Sequence, residues 1–153
     1  MRRLIKSFHY AIRGIGFNLA YERNFRIHCF AALTVFLAAA MFYDFSRLEW
    51  GLLILQVTTV MGAESMNSAV EQTDNKITTE RSRRIRHAKD SAAAAVFMIA
   101  LGAVAVAFLL FWDVAVFAEM LRWFSVWYRL LLLGLYLAVM LFLIFCKKTY
   151  KKG

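Results

Sequence analysis

A stripe of polar residues interrupts an apolar stretch near the middle of the chain. Asn67, Ser68 and Glu71 lie within about 60° of Glu64 on a helical wheel, so the four side chains share one helix face. Ionisable groups at membrane depth are costly unless they face a bundle interior or water, and they mark functional sites by default. The alternatives for Glu64 are a structural polar network and the simple emergence of the helix into the headgroups.

The spacing of the two glutamates indicates separate roles. Glu64 and Glu71 stand about 10 Å apart along a helix axis, which disfavours their binding one ion together. A shallow carboxylate near a basic loop can hold Mg²⁺, and a deeper one can accept a proton from a lipid hydroxyl. With Arg86, Lys89 and the N-terminal arginines to neutralise phosphate, the pattern fits phosphoryl transfer at a membrane surface. The chain has no GxxxxGK[ST] phosphate loop.

The elements that position these residues are apolar helices. The chain has 153 residues, 61% of them hydrophobic, and no proline, which excludes an ordinary soluble domain. An amphipathic surface helix is predicted over 3–20, where apolar residues recur at three- and four-residue steps. The fold class is therefore an all-α membrane protein, and its predicted spans are about 25–43, 50–70, 91–112 and 128–146.

The distribution of positive charge predicts the topology. Sixteen of the nineteen Lys and Arg residues precede residue 29, lie between residues 68 and 90, or follow residue 146. This alternation predicts four spans with both termini in the cytoplasm, and it excludes a soluble nucleic-acid binder. The first span is short, and we expect it to lengthen through residues 25–28 because Arg26 can snorkel to the interface. Cys29 and Cys146 are expected to be small buried hydrophobic residues rather than parts of a metal site or disulfide framework.

Two motifs carry a resemblance to a known family. The run Glu64-Ser-Met-Asn-Ser-Ala-Val-Glu71, followed by Ala88-Lys-Asp90 before an alanine-rich span, resembles the E-x-x-N-[ST]-A-[IV]-E signature of the small prokaryotic diacylglycerol kinase family. Phe8-His-Tyr-Ala-Ile-Arg-Gly-Ile15 and Glu22-Arg-Asn-Phe-Arg-Ile-His28 resemble its undecaprenol kinase branch. The resemblance covers about residues 3 to 112. It implies a homotrimer of three-span subunits with shared active sites, which uses MgATP to phosphorylate a lipid alcohol in the bacterial cytoplasmic membrane.

The resemblance also implies roles for individual residues. Glu64 would be the general base, Asn67 would orient the base or the phosphate, and Glu22 and Glu71 would bind Mg²⁺. The positions that contact or surround the nucleotide in the family are matched by Arg3, Tyr10, Glu80, Lys89 and Asp90. Taken singly, each of these has an ordinary alternative: an interfacial charge or aromatic for the first two, a solvated helix charge for the third, and a local ion pair for the last two. For Glu22 the alternative is an ordinary interfacial helix acid.

The chain departs from the family pattern in three places. Asn75 stands where the family has an aspartate, with Asp74 one position earlier, and Arg81-Ser-Arg-Arg84 replaces an aromatic or histidine-containing loop. The third departure is that the family's third span usually ends the chain, whereas this chain continues after it. We therefore expect a kinase domain over 1–112 and an additional unit over 113–153, made of an outer segment, a fourth span and a basic tail that can anchor to anionic lipid.

The leading hypothesis is a lipid kinase acting on undecaprenol, with diacylglycerol as the alternative substrate. A non-catalytic membrane subunit is a second hypothesis, and the retained carboxylates argue against it. A small ion or proton transporter is a third hypothesis. The acids cluster at one face instead of spanning the membrane, which argues against a transporter.

Overall fold

The computed structural model describes residues 2–77 and 83–146, with side chains described over 3–73 and 83–146. Within these ranges the chain is helical and has no strand, which confirms the all-α fold class. The predicted surface helix and the four predicted apolar segments each correspond to a helix, and a further short helix joins the last two. The helices are α1 (Arg2–Tyr21), α2 (Arg23–Phe42), α3 (Arg47–Ile77), α4 (Arg83–Phe111), α5 (Val114–Phe124) and α6 (Trp127–Phe145).

Among the described residues, three helices are long and apolar enough to cross a membrane: α2, α4 and α6. They are mostly exposed in the single chain, and at most 17% of each apolar window is buried, as expected for surfaces that face lipid or other subunits. The α3 helix is 31 residues long. Its polar side chains, among them Gln56, Glu64 and Asn67, lower its mean hydropathy below that of the other three. The predicted span over 50–70 therefore stays a prediction.

The helices pack as a bundle built around α2 and α3. The most extensive contact is between α3 and α4, and α2 packs against α1, α3, α5 and α6. The α6 helix therefore lies at the edge of the bundle, chiefly against α2 and α5. The predicted additional unit over 113–153 corresponds to α5 and α6, up to Cys146.

Aromatic rings gather at the ends of α2 and α4 and the start of α3. The Phe45 ring packs edge-on against Trp50 and Phe111, with centroids 5.8 and 5.3 Å apart. The Tyr43 hydroxyl donates to the carbonyl oxygen of Phe111 at 2.7 Å, which satisfies one acceptor at the end of α4. This aromatic layer, which includes Trp50, is typical of a membrane interface.

Side-chain caps mark the starts of α3 and α5. At the start of α3 is a capping box, in which the Ser46 backbone N–H and hydroxyl donate to Glu49 Oε2 at 2.7 and 2.6 Å and the Glu49 N–H donates back to Ser46 Oγ at 3.4 Å. Asp113 caps α5 by accepting from the N–H groups of Ala115 and Val116. These bonds satisfy backbone N–H groups that have no partner within the helix.

Two expectations from the sequence are wrong. Cys146 is exposed, because it follows the last turn of α6, whereas Cys29 is half-buried. Arg26 does not snorkel: its side chain is 9% exposed and donates to three backbone carbonyl oxygens. Carbonyl groups left unpaired at two helix ends attract the guanidinium more strongly here than the interface does.

Candidate active site

The candidate site forms where α1 ends, α2 begins and α3 passes behind them. Glu22 is the single residue between α1 and α2, and its extended backbone (φ −97°, ψ 112°) lets the chain turn there. Its N–H donates to the Asn18 carbonyl at 2.9 Å, and its own carbonyl accepts from the Arg26 N–H at 3.3 Å. The last bond of one helix and the first bond of the next thus both involve Glu22. An acidic residue at a helix N-terminus is favoured by the helix dipole.

The polar stripe of α3 faces this junction. Glu64 is 3% exposed and Asn67 8%, and Ser68 is also buried, whereas Glu71 is exposed. The carboxylates of Glu22 and Glu71 lie close enough for their charge to act on Glu64. The structure therefore places Glu22 and Glu71 near Glu64, and their roles as metal ligands and general base stay a prediction.

Hydrogen bonds link the junction to the stripe. Gln72 Nε2 donates to Glu22 Oε1 at 3.2 Å, and Asn18 Nδ2 donates to Ser65 Oγ at 3.2 Å. The Asn24 side chain lies close to the Glu64 carboxylate. The two hydrogen bonds connect the surface helix to α3 and orient the Glu22 carboxylate.

The side-chain nitrogen of Asn67 has a hydrogen-bond partner, whereas its side-chain oxygen has none among the described residues. Its Nδ2 donates to Glu71 Oε1 at 3.3 Å. Because an ionised carboxylate only accepts hydrogen bonds, the amide nitrogen must point at Glu71 and the amide oxygen must point away. That oxygen, Oδ1, is buried and has no hydrogen-bond partner among the described residues. A buried acceptor without a donor is costly, so this position is suited to receive a hydroxyl group, a bound water or a cation.

The donor set fits Mg²⁺ only as part of a larger coordination sphere. Carboxylate and amide oxygens are ligands that Mg²⁺ prefers, but the described residues contain no group of three or more His, Cys, Asp or Glu side chains placed to hold a metal by themselves. Such an open set is typical of Mg²⁺ that reaches a protein with a nucleotide and keeps phosphate and water ligands.

Two cavities adjoin the site. One, of about 400 Å³, lies between α1 and α3, with Gly14, Asn18, Ser65 and Gln72 among its lining residues. The other, of about 250 Å³, lies between α2, α3 and α4, and its lining is alanine, valine, leucine and methionine apart from His28 and Gln56. The second cavity reaches Met61, about one helical turn from Glu64, so an apolar chain lying in it could bring a polar end to the carboxylate.

The residues predicted to contact the nucleotide lie on α1, at the start of α4 and outside the described residues. Arg3 and Tyr10 lie on the exposed part of α1, and Tyr10 is 63% exposed. Asp90 is exposed and Lys89 half-buried in the first turns of α4. Glu80 lies outside the described residues, as do the side chains of Asp74 and Asn75 and residues 81 and 82 of the basic loop. The grouping of these positions around a nucleotide stays a prediction.

Four polar residues of the site were missed by the sequence reasoning. Asn18 follows an apolar stripe of α1 whose members are themselves exposed, so the stripe does not indicate that Asn18 is buried. Asn24, Ser65 and Gln72 have no readable signal either, because their roles depend on which helices meet.

Comparison with known proteins identifies the family. The prokaryotic diacylglycerol kinase family profile matches residues 9–111. The undecaprenol kinase of Bacillus subtilis is 34% identical over 111 residues, which cover 72% of this chain and 89% of the relative. The diacylglycerol kinase of Haemophilus influenzae is 35% identical over 98 residues, covering 64% of this chain and 82% of the relative. The diacylglycerol kinase of Synechocystis sp. is 36% identical over 104 residues, covering 67% of this chain and 59% of the relative.

The α5 and α6 helices lie beyond the matched residues, whereas every carboxylate of the candidate site lies within them. The match confirms the resemblance read from the signature. The chain therefore belongs to the prokaryotic diacylglycerol kinase family and is a membrane lipid kinase.

Proposed function

We propose that this protein transfers the γ-phosphoryl group of MgATP to the hydroxyl of undecaprenol, giving undecaprenyl phosphate and ADP. The observation that carries the proposal is the buried Glu64 carboxylate, which lies about one helical turn from Met61 in the lining of the apolar cleft and near two further acids, Glu22 and Glu71. A lipid kinase needs this arrangement, because the acceptor is apolar and the donor is highly charged.

In the proposed mechanism, Glu64 accepts the proton of the lipid hydroxyl as the lipid oxygen forms its bond to the γ-phosphorus. The bond between that phosphorus and the β,γ-bridging oxygen breaks, and ADP leaves with the electron pair. Bound Mg²⁺ would neutralise charge on the phosphates. Glu71 and Glu22 would hold it through carboxylate oxygens, because both stand near Glu64 and are less buried than it.

The proposed role of Asn67 follows from its free oxygen. Its Nδ2 already donates to Glu71, so the side chain can keep that carboxylate oriented towards the metal. The buried Oδ1 only accepts hydrogen bonds, and because the single proton of the lipid hydroxyl goes to Glu64, Oδ1 would accept from a bound water instead. We therefore assign Asn67 to orienting Glu71 and this water, and phosphate neutralisation to Arg3 and Lys89.

Undecaprenol is favoured over diacylglycerol by the amino-terminal motifs and by the length of the match to the Bacillus subtilis undecaprenol kinase. Diacylglycerol remains the second candidate, because two other relatives carry that name. A transporter is disfavoured, since Glu22, Glu64 and Glu71 meet at one end of the bundle instead of forming a path along it.

The exposed spans and the open ligand set also support a homotrimer in which neighbouring subunits complete each site with the nucleotide contacts. The charge distribution supports placement in the bacterial cytoplasmic membrane with both termini in the cytoplasm.

The test uses purified full-length protein in lipid bilayers with MgATP, to which undecaprenol or diacylglycerol is added separately, and the phosphorylated lipid is measured. We expect phosphorylation of undecaprenol at the higher kcat/KM. A higher value for diacylglycerol would reverse the substrate assignment, and no product from either lipid with folded protein would refute the kinase mechanism. The Glu64→Gln variant serves as the inactive control.

A further inference from the structure

The C-terminal helix α6 makes a direct bond to the part of the chain that carries Glu22. The guanidinium of Arg26 donates from Nη2 to the carbonyl oxygen of Ile144, in the last turn of α6, at 3.0 Å. The same guanidinium donates from Nη1 to the carbonyl oxygens of Leu19 and Ala20, in the last turn of α1, at 3.3 and 3.0 Å. One side chain therefore joins the ends of two helices that are more than a hundred residues apart in the chain.

The physical chemistry of helix ends explains this contact. The last carbonyl groups of a helix lack intrahelical partners and carry partial negative charge, so a buried cation placed between two such ends is stabilised by both. The planar guanidinium can donate in several directions at once, which an ammonium group cannot reproduce with the same geometry. Arg26 is 9% exposed, and its Nε has no partner among the described residues, so the three carbonyl bonds carry its stabilisation.

Arg26 holds the chain on both sides of Glu22. Its side chain binds the carbonyl groups two and three residues before Glu22, and its backbone N–H binds the Glu22 carbonyl itself. Glu22 is the only residue between the two helices, so the direction of its carboxylate depends on the angle at which α1 meets α2. Arg26 bonds to the chain on both sides of this junction, alongside the bonds from Asn18 and Gln72, and α6 supplies one of its three carbonyl partners.

We propose that Arg26 is a positioning residue through which α6 holds the Glu22 carboxylate in the orientation that binds the metal of the metal–nucleotide complex. The inference rests on the proposed role of Glu22 as a metal ligand. It gives α6, which lies outside the residues matched to the family, a part in the active site although none of its side chains is among the site residues.

The test measures metal binding directly, without turnover. Mn²⁺ replaces Mg²⁺ in the full-length protein with a non-hydrolysable ATP analogue, and bound Mn²⁺ is measured by electron paramagnetic resonance. We expect Arg26→Ala to weaken Mn²⁺ binding about 10-fold, the loss typical of a residue that orients a metal ligand. Arg26→Lys should recover part of the affinity, because the ammonium group keeps a positive charge at the helix ends.

A matched control breaks the other polar link between the same two helices. The hydroxyl groups of Thr34 and Tyr136 lie 2.8 Å apart between α2 and α6, so Tyr136→Phe removes this bond and leaves Arg26 intact. We expect Mn²⁺ affinity unchanged in this variant. An equal loss in Tyr136→Phe and Arg26→Ala would overturn the inference, since it would show that α6 acts only by general packing.

A double-mutant cycle tests the part played by α6. Met140 is buried and lies one turn before Ile144, so Met140→Ala should loosen the end of α6. We expect it to weaken Mn²⁺ binding in the wild-type background and to have no further effect in Arg26→Ala. Additive losses would overturn the inference, as would wild-type Mn²⁺ affinity in Glu22→Gln. If the cycle behaves as expected but no lipid is phosphorylated, the proposed function fails while the positioning role stands.

Discussion

Replacing Glu64 with glutamine should separate catalysis from stability in this protein. The substitution keeps the size of the side chain and an oxygen that Asn24 can reach, but it removes the group that accepts a proton. Loss of a general base costs about 10²–10⁴ in rate. Glu64 is 3% exposed, so water has little access to act in its place, and we expect a fall in kcat of about 10³-fold or more, equivalent to about 4 kcal/mol.

The same substitution should make the fold more stable. Glu64 and Glu71 stand about 10 Å apart along α3, and two like charges at this distance repel by about 1.7 kcal/mol at an effective dielectric constant of about 20. Glu71 is exposed, and screening over a Debye length of about 8–10 Å reduces the repulsion to about 0.5 kcal/mol. For a chain of this size, its removal corresponds to a rise in Tm of about 1–2 °C.

Three measurements test this reasoning: kcat for lipid phosphorylation, Kd for a non-hydrolysable ATP analogue with Mg²⁺, and Tm in detergent. Relative to the wild type, we expect kcat to fall steeply, Kd to change by less than about 2-fold and Tm to rise. The control is Glu119→Gln, which removes one exposed carboxylate of α5 and should change none of the three. A lower Tm would refute the repulsion argument, and a large loss of nucleotide binding would reassign Glu64 to the metal.

Three further predictions follow from other contacts. Glu71→Gln should raise the Mg²⁺ concentration for half-maximal activity about 10-fold or more, and unchanged Mg²⁺ dependence would remove Glu71 from the ligand set. Asn18→Ala should lower the free energy of unfolding by about 1 kcal/mol, measured by denaturation in detergent, because it breaks a buried bond between α1 and α3; Ser7→Ala, on the exposed face of α1, should have no effect. Glu49→Gln should lower Tm at neutral pH but not in acid, because the hydrogen bonds from Ser46 hold the pKa of Glu49 below its ordinary value of 4.5. The stabilisation by ionised Glu49 is therefore present above pH 4.5 and is lost as the pH falls through the lowered pKa, and a Tm difference independent of pH would contradict this.

Much of the fold could be predicted from the sequence, because apolar length and amphipathic period are local properties. Most helix ends lie close to their predicted positions, as in the surface helix, α2 and α6. The exception is α4, which starts at Arg83 rather than near residue 91, because the predicted span covered only the apolar part of this helix. Its first turns are polar and helical, and hydropathy cannot distinguish such turns from a loop.

The site could be predicted only in part. Glu64, Asn67 and Glu71 lie on one helix, so their shared face follows from the residue spacing alone. The proximity of Glu22 and the burial of Arg26 depend instead on the angle between α1 and α2 and on the distant carbonyl of Ile144. No local pattern encodes a partner that lies 118 residues away.

The length of α3 relates the site to the thickness of the bilayer. With 31 residues, α3 is about 46 Å long, whereas the hydrocarbon core is about 30 Å thick. Measured from Trp50 in the aromatic layer, Glu64 would lie about 21 Å and Glu71 about 31 Å along the helix. Glu64 would then lie beneath the headgroups and Glu71 at their level. The lipid alcohol could therefore stay in the bilayer and the charged nucleotide in water while the two react. A thicker bilayer would draw Glu71 away from water, and hydrophobic mismatch therefore becomes a means of changing the activity.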